Sequence, residues 1–137
     1  MGPLAKIASG GELSRVMLAL KTIFAANEGV TSIIFDEVDT GVSGRVAQAI
    51  ADKIRLIAAN SQVLCITHLP QVAAVAQHHF LIKKAIHDER TTTTVTSLAA
   101  AQRVNELARM LSGEKVTKLT KEHAQELLQM AHPKDKA

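Results

Sequence analysis

The fold is decided by the stretch Thr31–Glu37, which reads Thr-Ser-Ile-Ile-Phe-Asp-Glu. This short apolar run follows a glycine turn and ends in two carboxylates, which is typical of a strand buried on both faces of a parallel sheet. A second run of the same kind spans 62–66 and ends just before Thr67 and His68. The sequence therefore predicts two strands that each carry polar side chains at the carboxyl end.

Apolar residues at helical spacing predict a helix on each side of the first strand. The earlier helix covers roughly 11–27, and the later one is capped by Ser43 and ends near Asn60. A short helix begins at Pro70, because a missing amide hydrogen is harmless in the first turn. Strands that alternate with helices imply right-handed crossovers and a mostly parallel sheet, at whose carboxyl strand ends ligands collect.

The second half of the chain predicts a hairpin followed by two helices. The hairpin strands cover 80–84 and 91–96 and are joined by a polar turn at 87–90, and we expect this hairpin at a sheet edge. The helices run from about 99 to 111 and from about 120 to 131. The predicted fold class is therefore α/β, with a mostly parallel sheet flanked by helices, an edge hairpin and two C-terminal helices.

Composition narrows the class of protein. The chain has 137 residues, 47% of them hydrophobic, which fits one globular unit with a real core. Aromatic residues make up 2% and the net charge is +3, so base stacking is not expected and phosphate contact is permitted without being required. A single cysteine and the lack of a bilayer-length apolar run favour a cytoplasmic protein with no membrane partner. The abrupt start before the first motif suggests a piece of a longer polypeptide.

A candidate phosphate site lies at the start of the first predicted helix, in the run Ser9-Gly10-Gly11-Glu12. A helix start exposes unpaired amide hydrogens, and two glycines let an anionic oxygen approach the backbone. The simpler alternative is that Ser9 only caps the helix and that the glycines form a tight turn. These residues alone leave both alternatives open.

A candidate metal and catalytic site lies at the end of the first strand. Successive side chains of a strand point in opposite directions, so Asp36 can face a hydrated magnesium ion while Glu37 faces a water held against a phosphorus atom. With Asp39, three carboxylates fall within four residues, a crowding that is costly unless a cation or a partner offsets it. The alternative is a solvated strand end whose acids bind nearby amides.

His68, after the second strand, is a further candidate because an imidazole there can donate a hydrogen bond to a terminal phosphate oxygen. A loop histidine is more commonly exposed or bonded to the backbone, and we assign that state to His78, His79 and His87. Zinc is not expected, because no matching Cys or His ligands occur at suitable spacing.

Taken together, these motifs resemble the ATP-binding-cassette superfamily, and most closely its branch with structural-maintenance-of-chromosomes (SMC) heads. The run 9–12 resembles the signature motif, 33–37 the Walker B strand, 39–44 the D-loop and 67–68 the switch histidine. The longer stretches 3–15, 35–44 and 67–73 are similar to the RecN family of bacterial DNA repair proteins. By this resemblance, residues 1–137 form the C-terminal half of an ATPase head.

The resemblance implies an ATPase in DNA double-strand break repair and recombination, with ATP and Mg²⁺ as cofactors in a nucleoid-associated protein. It implies three partners, which are a second head joined through an ATP sandwich, the head's own N-terminal lobe and, in the full-length protein, DNA. The implied site residues are Asp36 for the metal, Glu37 and His68 for catalysis, and Ser9, Gly10, Gly11, Glu12, Asp39 and Ser43 for the nucleotide.

The Walker A loop, G-x-x-x-x-G-K-[ST], occurs nowhere in the 137 residues. The lysine and amides that cradle the phosphates must therefore come from the N-terminal lobe, and this chain alone is expected to be inactive. The sequence also departs from the residues usual in the wider superfamily at Ala8, Glu12 and Ser43. These departures suit the RecN pattern and leave the role of the D-loop open.

Two alternatives remain beside an ATP-hydrolysing head. In the first, the protein is an ATP-gated DNA clamp or tether, in which nucleotide binding does the work and hydrolysis is incidental. In the second, the last two helices form a docking surface for another repair protein. Lysines in this part of the chain can contact DNA phosphates, although dispersed lysines on a terminal helix are commonly a solvated face. These lysines are Lys115, Lys118, Lys121, Lys134 and Lys136.

Overall fold

The computed structural model describes residues 19, 32–36, 44–113 and 115–133. The chain divides between Val75 and Ala76 into two compact units, whereas its length and composition predict one. Each unit combines helices with a two-stranded sheet, which confirms the α/β class. The predicted helix over 11–27 lies outside the described residues, apart from Ala19, which is helical.

The first unit alternates strands and helices in the predicted order. Strand β1 spans Ser32–Asp36, helix α1 spans Gly44–Ala58, strand β2 spans Gln62–Ile66 and helix α2 spans Pro70–Val75. Helix α1 forms where apolar side chains recur every three or four positions and make one buried stripe. Its buried residues are Ala47, Ile50, Ala51, Ile54 and Ile57.

Strands β1 and β2 pair in parallel, with Ser32 opposite Gln62 and Asp36 opposite Ile66. Helix α1 is the crossover between them and contacts both β2 and α2. On β1, Ile33 and Phe35 are buried, and Phe35 is fully enclosed. The core of the first unit therefore lies between one face of the sheet and its crossover helix.

The expectation that both strands are buried on two faces is wrong for the described residues. Exposed and buried side chains alternate along β1, and Ile34 is 59% exposed. On β2, Leu64 is 52% and Ile66 is 45% exposed. One crossover helix covers one face, and the alternate side chains of each strand point away from that helix. We call the surface formed by Ile34, Leu64 and Ile66 the outer face.

The second unit begins with the predicted hairpin, whose strands are longer than the sequence indicates. Strand β3 spans Phe80–His87 and pairs antiparallel with β4, which spans Arg90–Ser97. Asp88 and Glu89 join them with φ of 49° and 63°, the left-handed values of a two-residue turn whose twist matches the strands. The turn is therefore built from two non-glycine residues in a conformation that side chains rarely adopt.

The hairpin forms a two-stranded sheet of its own among the described strands, so its predicted place at the edge of a larger sheet is not found there. Its threonine side chains form hydrogen bonds within the pair. The hydroxyl of Thr92 donates to the carbonyl of Ala85 at 3.2 Å, and that of Thr94 to the carbonyl of Lys83 at 3.5 Å. These hydroxyls add to the pairing between the two strands.

Two helices complete the second unit and contact each other. Helix α3 spans Ala100–Ser112 and ends at Gly113, as predicted, and helix α4 spans Lys118–Ala131. Helix α4 begins earlier than predicted because Thr117 caps it, its Oγ1 accepting from the Thr120 amide at 3.2 Å. The fully buried residues of the pair are Leu107, Ala108 and Ala124.

Replacing Leu107 with alanine should lower the free energy of unfolding by about 2–5 kcal/mol, because a fully buried side chain leaves a cavity behind. The matched control is Leu119→Ala on α4. That side chain is 75% exposed, so the loss should stay within about 0.5 kcal/mol. Urea denaturation followed by circular dichroism measures both changes. Equal losses for the two variants would contradict the packing of α3 against α4.

Candidate functional site

The parallel pair brings the two candidate groups that the structure describes to one edge of the sheet. Asp36 is the last residue of β1 and lies opposite Ile66, the last residue of β2. His68 follows two positions later, and both Asp36 and His68 are exposed. Neighbouring strands lie about 4.8 Å apart, so Asp36 and the loop that carries His68 are neighbours. The structure places both groups at the carboxyl edge that the strand order predicts, and their roles stay predictions.

A local turn holds the loop that carries His68. The amide of Leu69 donates to Thr67 Oγ1 at 3.0 Å, a hydroxyl-to-backbone bond typical of a compact turn. The carbonyl of Leu69 then accepts from the amide of Ala73 at 3.1 Å and so begins α2. His68 lies between these two anchored residues, which restrict where its backbone can move.

The carboxylate of Asp36 suits a hydrated magnesium ion. Mg²⁺ prefers oxygen ligands and keeps several of its waters, so one or two carboxylates are enough protein contact. Within 32–36, 44–113 and 115–133, no three His, Cys, Asp or Glu side chains form a group that could hold a metal ion.

The other predicted site residues lie in segments that the structure does not describe, and their roles stay predictions. They are Ser9, Gly10, Gly11, Glu12, Glu37, Asp39 and Ser43. Directly after Ser43, Gly44 has a φ of 58°, which glycine adopts without strain. Nothing lies within 4 Å of where its Cβ would be, so the backbone angle and not the available space favours glycine there.

A second polar cluster, which the sequence did not indicate, lies in the second unit. Arg103 on α3 donates from Nη2 to the carbonyl of Ala76. Glu106, one turn further on, is 8% exposed and accepts from Arg109 Nε at 3.0 and 3.1 Å. His79 was expected in an exposed or backbone-bonded state, but it is half-buried, and its Nδ1 has no hydrogen-bond partner among the described residues.

Burial and neighbouring groups shift the pKa values of three side chains in this cluster. Burial and then the positive charge of Arg103 lower the pKa of His79, while Glu106 acts in the opposite direction. Burial also lowers the pKa of Arg103, and the hydrogen bonds to Glu106 raise the pKa of Arg109. His79 is therefore neutral at pH 7. The cluster joins the segment before β3 to α3, and we assign it a structural role.

Known proteins include relatives that match almost the whole chain. This chain is 65% identical over 129 residues to the DNA repair protein RecN of Halalkalibacterium halodurans. It is 64% identical over 128 residues to RecN of Bacillus subtilis. These matches cover 94% and 93% of this chain but 23% and 22% of the relatives. RecN of Deinococcus radiodurans is 48% identical over 93% of the chain. The chain thus spans less than a quarter of the length of these relatives.

One solved structure shares the fold. It comes from work on ATP-driven dimerization and DNA-stimulated activation of SMC ATPases, with a TM-score of 0.60 and 22% identity. The match covers 80% of this chain and 66% of that chain, and at this identity it shows the fold alone. No protein-family profile matches the chain. In the part of the chain that the structure describes, no helix is long and apolar enough to span a membrane.

The lowered pKa of His79 predicts that acid destabilises the chain. The folded state binds this proton less readily than the unfolded state, so stability is complete above the ordinary pKa of 6.5 and is lost as the pH falls below it, toward the lowered folded-state pKa. The thermal unfolding midpoint should therefore decrease from about pH 7.5 to about pH 5, and His79→Gln should flatten that decrease.

The matched control for this experiment is His78→Gln, which removes an exposed imidazole one position earlier. This variant should keep the wild-type dependence of the unfolding midpoint on pH. A wild-type dependence in His79→Gln as well would contradict the contribution of the half-buried imidazole.

Proposed function

The resemblance to RecN is confirmed over more than nine tenths of this chain, and we therefore propose that the chain forms the C-terminal half of the ATP-hydrolysing head of a DNA repair protein. The observation that carries this proposal is the meeting of Asp36 and His68 at the carboxyl edge of a parallel strand pair. That edge is where α/β folds bind their ligands. The fold shared with a chain from work on SMC ATPases supports the same assignment.

In this proposal, the groups at the sheet edge divide the chemistry of ATP hydrolysis. Asp36 would hold a magnesium ion through its water ligands, and such an ion would supply positive charge against the phosphates. Glu37 orients and deprotonates the attacking water. His68 donates a hydrogen bond to a terminal phosphate oxygen, a role that suits an exposed imidazole on an anchored loop. Asp39 and Ser43 contact the nucleotide from the segment that follows.

The signature run acts in trans in this mechanism. Ser9 and Gly11 of one head contact the γ-phosphate of ATP held by the other, so hydrolysis requires two heads to dimerise. The Walker A loop comes from the head's own N-terminal lobe. Two facts support an N-terminal lobe as the source of the Walker A loop. The Walker A motif is absent from these 137 residues, and the RecN relatives are more than four times as long as the matched segment.

An ATP-gated DNA clamp or tether is the second candidate function. It uses the same nucleotide site, but binding alone opens and closes the head, and hydrolysis is incidental. The name of the relatives as DNA repair proteins supports DNA as a partner of the full-length protein in either case. The full-length protein would then act in double-strand break repair and recombination at the nucleoid, in the cytoplasm.

Replacing Glu37 with glutamine in the full-length protein tests the proposed mechanism. ATP should still bind, because the ligands of the phosphates and the metal remain, but turnover should decrease by about 10²–10⁴-fold without the general base. Glu89→Gln, at the tip of the hairpin, is the matched control and should hydrolyse ATP at the wild-type rate. Steady-state phosphate release measures turnover, and nucleotide binding is measured separately by equilibrium titration.

The same variants separate the two candidate functions. If hydrolysis drives the work, Glu37→Gln should fail to release DNA after binding ATP, whereas a binding-only clamp should load and release DNA as the wild type does. Unchanged turnover in Glu37→Gln would remove this residue from its catalytic role. ATP hydrolysis by the 137-residue chain without the N-terminal lobe would overturn the assignment of this chain as one half of an ATPase head.

A further inference from the structure

Helix α2 contains one polar side chain, that of Gln71, among buried apolar ones. Gln71 is partly buried, and in the described residues of the first unit its Oε1 is the one buried side-chain oxygen or nitrogen that lacks a hydrogen-bond partner. A buried amide oxygen without a partner costs free energy, because it gives up its hydrogen bonds to water and gains none. An apolar side chain of the same size would avoid that cost, so packing alone does not explain a glutamine at this position.

The position of Gln71 connects it to the candidate site. Gln71 is the second residue of α2 and lies three positions after His68. Two hydrogen bonds turn the chain between them, from the Leu69 amide to Thr67 Oγ1 at 3.0 Å and from the Ala73 amide to the Leu69 carbonyl at 3.1 Å. Residues three apart are neighbours where the chain turns into a helix. The amide of Gln71 and the imidazole of His68 therefore belong to one anchored turn at the carboxyl edge of the sheet.

We propose that Gln71 is a positioning residue for His68, with its Oε1 accepting a hydrogen bond from one ring N–H of the imidazole. The inference rests on the proposed function, in which His68 donates from its other ring nitrogen to a terminal phosphate oxygen. An imidazole that acts through one nitrogen is oriented by the hydrogen bond at the other. An imidazole that donates from both nitrogens is protonated, so the amide oxygen and the phosphate together favour the charged ring. That charge stabilises the negative charge on the phosphate.

The proposed bond forms when the two side chains rotate toward each other. His68 is exposed and Gln71 Oε1 is buried, so the imidazole must turn in toward α2 while Gln71 turns out. Hydrogen bonds of catalytic groups commonly tighten only once the substrate is bound. The cost of the unpaired oxygen is then relieved in the arrangement that hydrolyses ATP, and an interaction present only there accelerates the chemical step.

Replacing Gln71 with methionine in the full-length protein removes the acceptor and keeps the length of the side chain. The kcat of ATP hydrolysis should fall by about 10–100-fold, as when the partner that orients a functional histidine is lost, while KM for ATP stays the same. Gln71→Glu keeps an acceptor oxygen and should restore kcat to near the wild-type value. Gln77→Met, at an exposed glutamine, is the matched control and should leave kcat unchanged. Wild-type kcat in Gln71→Met would overturn the proposal, and so would a Gln71→Glu variant as slow as Gln71→Met.

A double-mutant cycle with His68→Ala tests whether Gln71 acts through His68. In the His68→Ala background, Gln71→Met should cause no further loss of kcat, because the group that it positions is gone. A full additional loss would overturn the proposal. Unchanged kcat in His68→Ala alone would contradict the role of His68 in the proposed function. Normal kcat in Gln71→Met beside a slow His68→Ala would contradict only the present inference.

Urea denaturation of the 137-residue chain separates positioning from packing. Because Gln71 Oε1 has no hydrogen-bond partner among the described residues, Gln71→Met removes a buried unpaired atom, and the urea midpoint should equal or exceed that of the wild type. A midpoint below the wild-type value would show that the glutamine stabilises the fold, and it would overturn the proposal. Equilibrium titration with ATP verifies that each full-length variant still binds nucleotide. The expected combination is therefore slower hydrolysis without a loss of stability.

Discussion

The parallel register between β1 and β2 is the constraint on which both the first core and the candidate site depend. Parallel strands cannot be joined by a tight turn, so the chain must cross over the sheet, and α1 supplies that crossover together with the buried stripe that packs on it. A shift by one residue would exchange the buried Phe35 for the exposed Ile34. It would also move Asp36 relative to the turn that holds His68. The packing of the first core and the placement of the two candidate groups thus depend on one set of backbone hydrogen bonds.

Features that depend on local signals could be predicted from the sequence. The apolar spacing of α1, the proline that opens α2 and the glycine that ends α3 each act within one or two turns, and these elements form as expected. The meeting of Asp36 and His68 at one edge also followed, because it needs only strand direction. The roles of these residues came from a resemblance, since no local rule assigns a carboxylate to a metal rather than to solvent.

Features that depend on contacts between distant residues could not be predicted. An apolar run such as 62–66 looks the same whether one or both of its faces are covered, so the exposure of Leu64 was not foreseen. His79 is half-buried within the electrostatic reach of Arg103, whose side chain bonds to a carbonyl 27 positions earlier along the chain. His78 and His79 are adjacent in the sequence, and nothing in the local pattern distinguishes the half-buried His79 from the exposed His78. The burial of a polar group depends on tertiary packing, and a short segment of sequence carries no information about that packing.

The hairpin in the second unit also bears on how the protein avoids aggregation. An open pair of strands with exposed apolar residues is a template on which another chain can pair. If two copies of β3 met edge to edge in antiparallel register about their centres, Lys83 of one copy would lie opposite Lys84 of the other, and like charges at that spacing repel. In that arrangement the two lysines at the middle of this strand would oppose self-association. A chain with two neutral residues there would have lost that electrostatic protection while keeping the same fold.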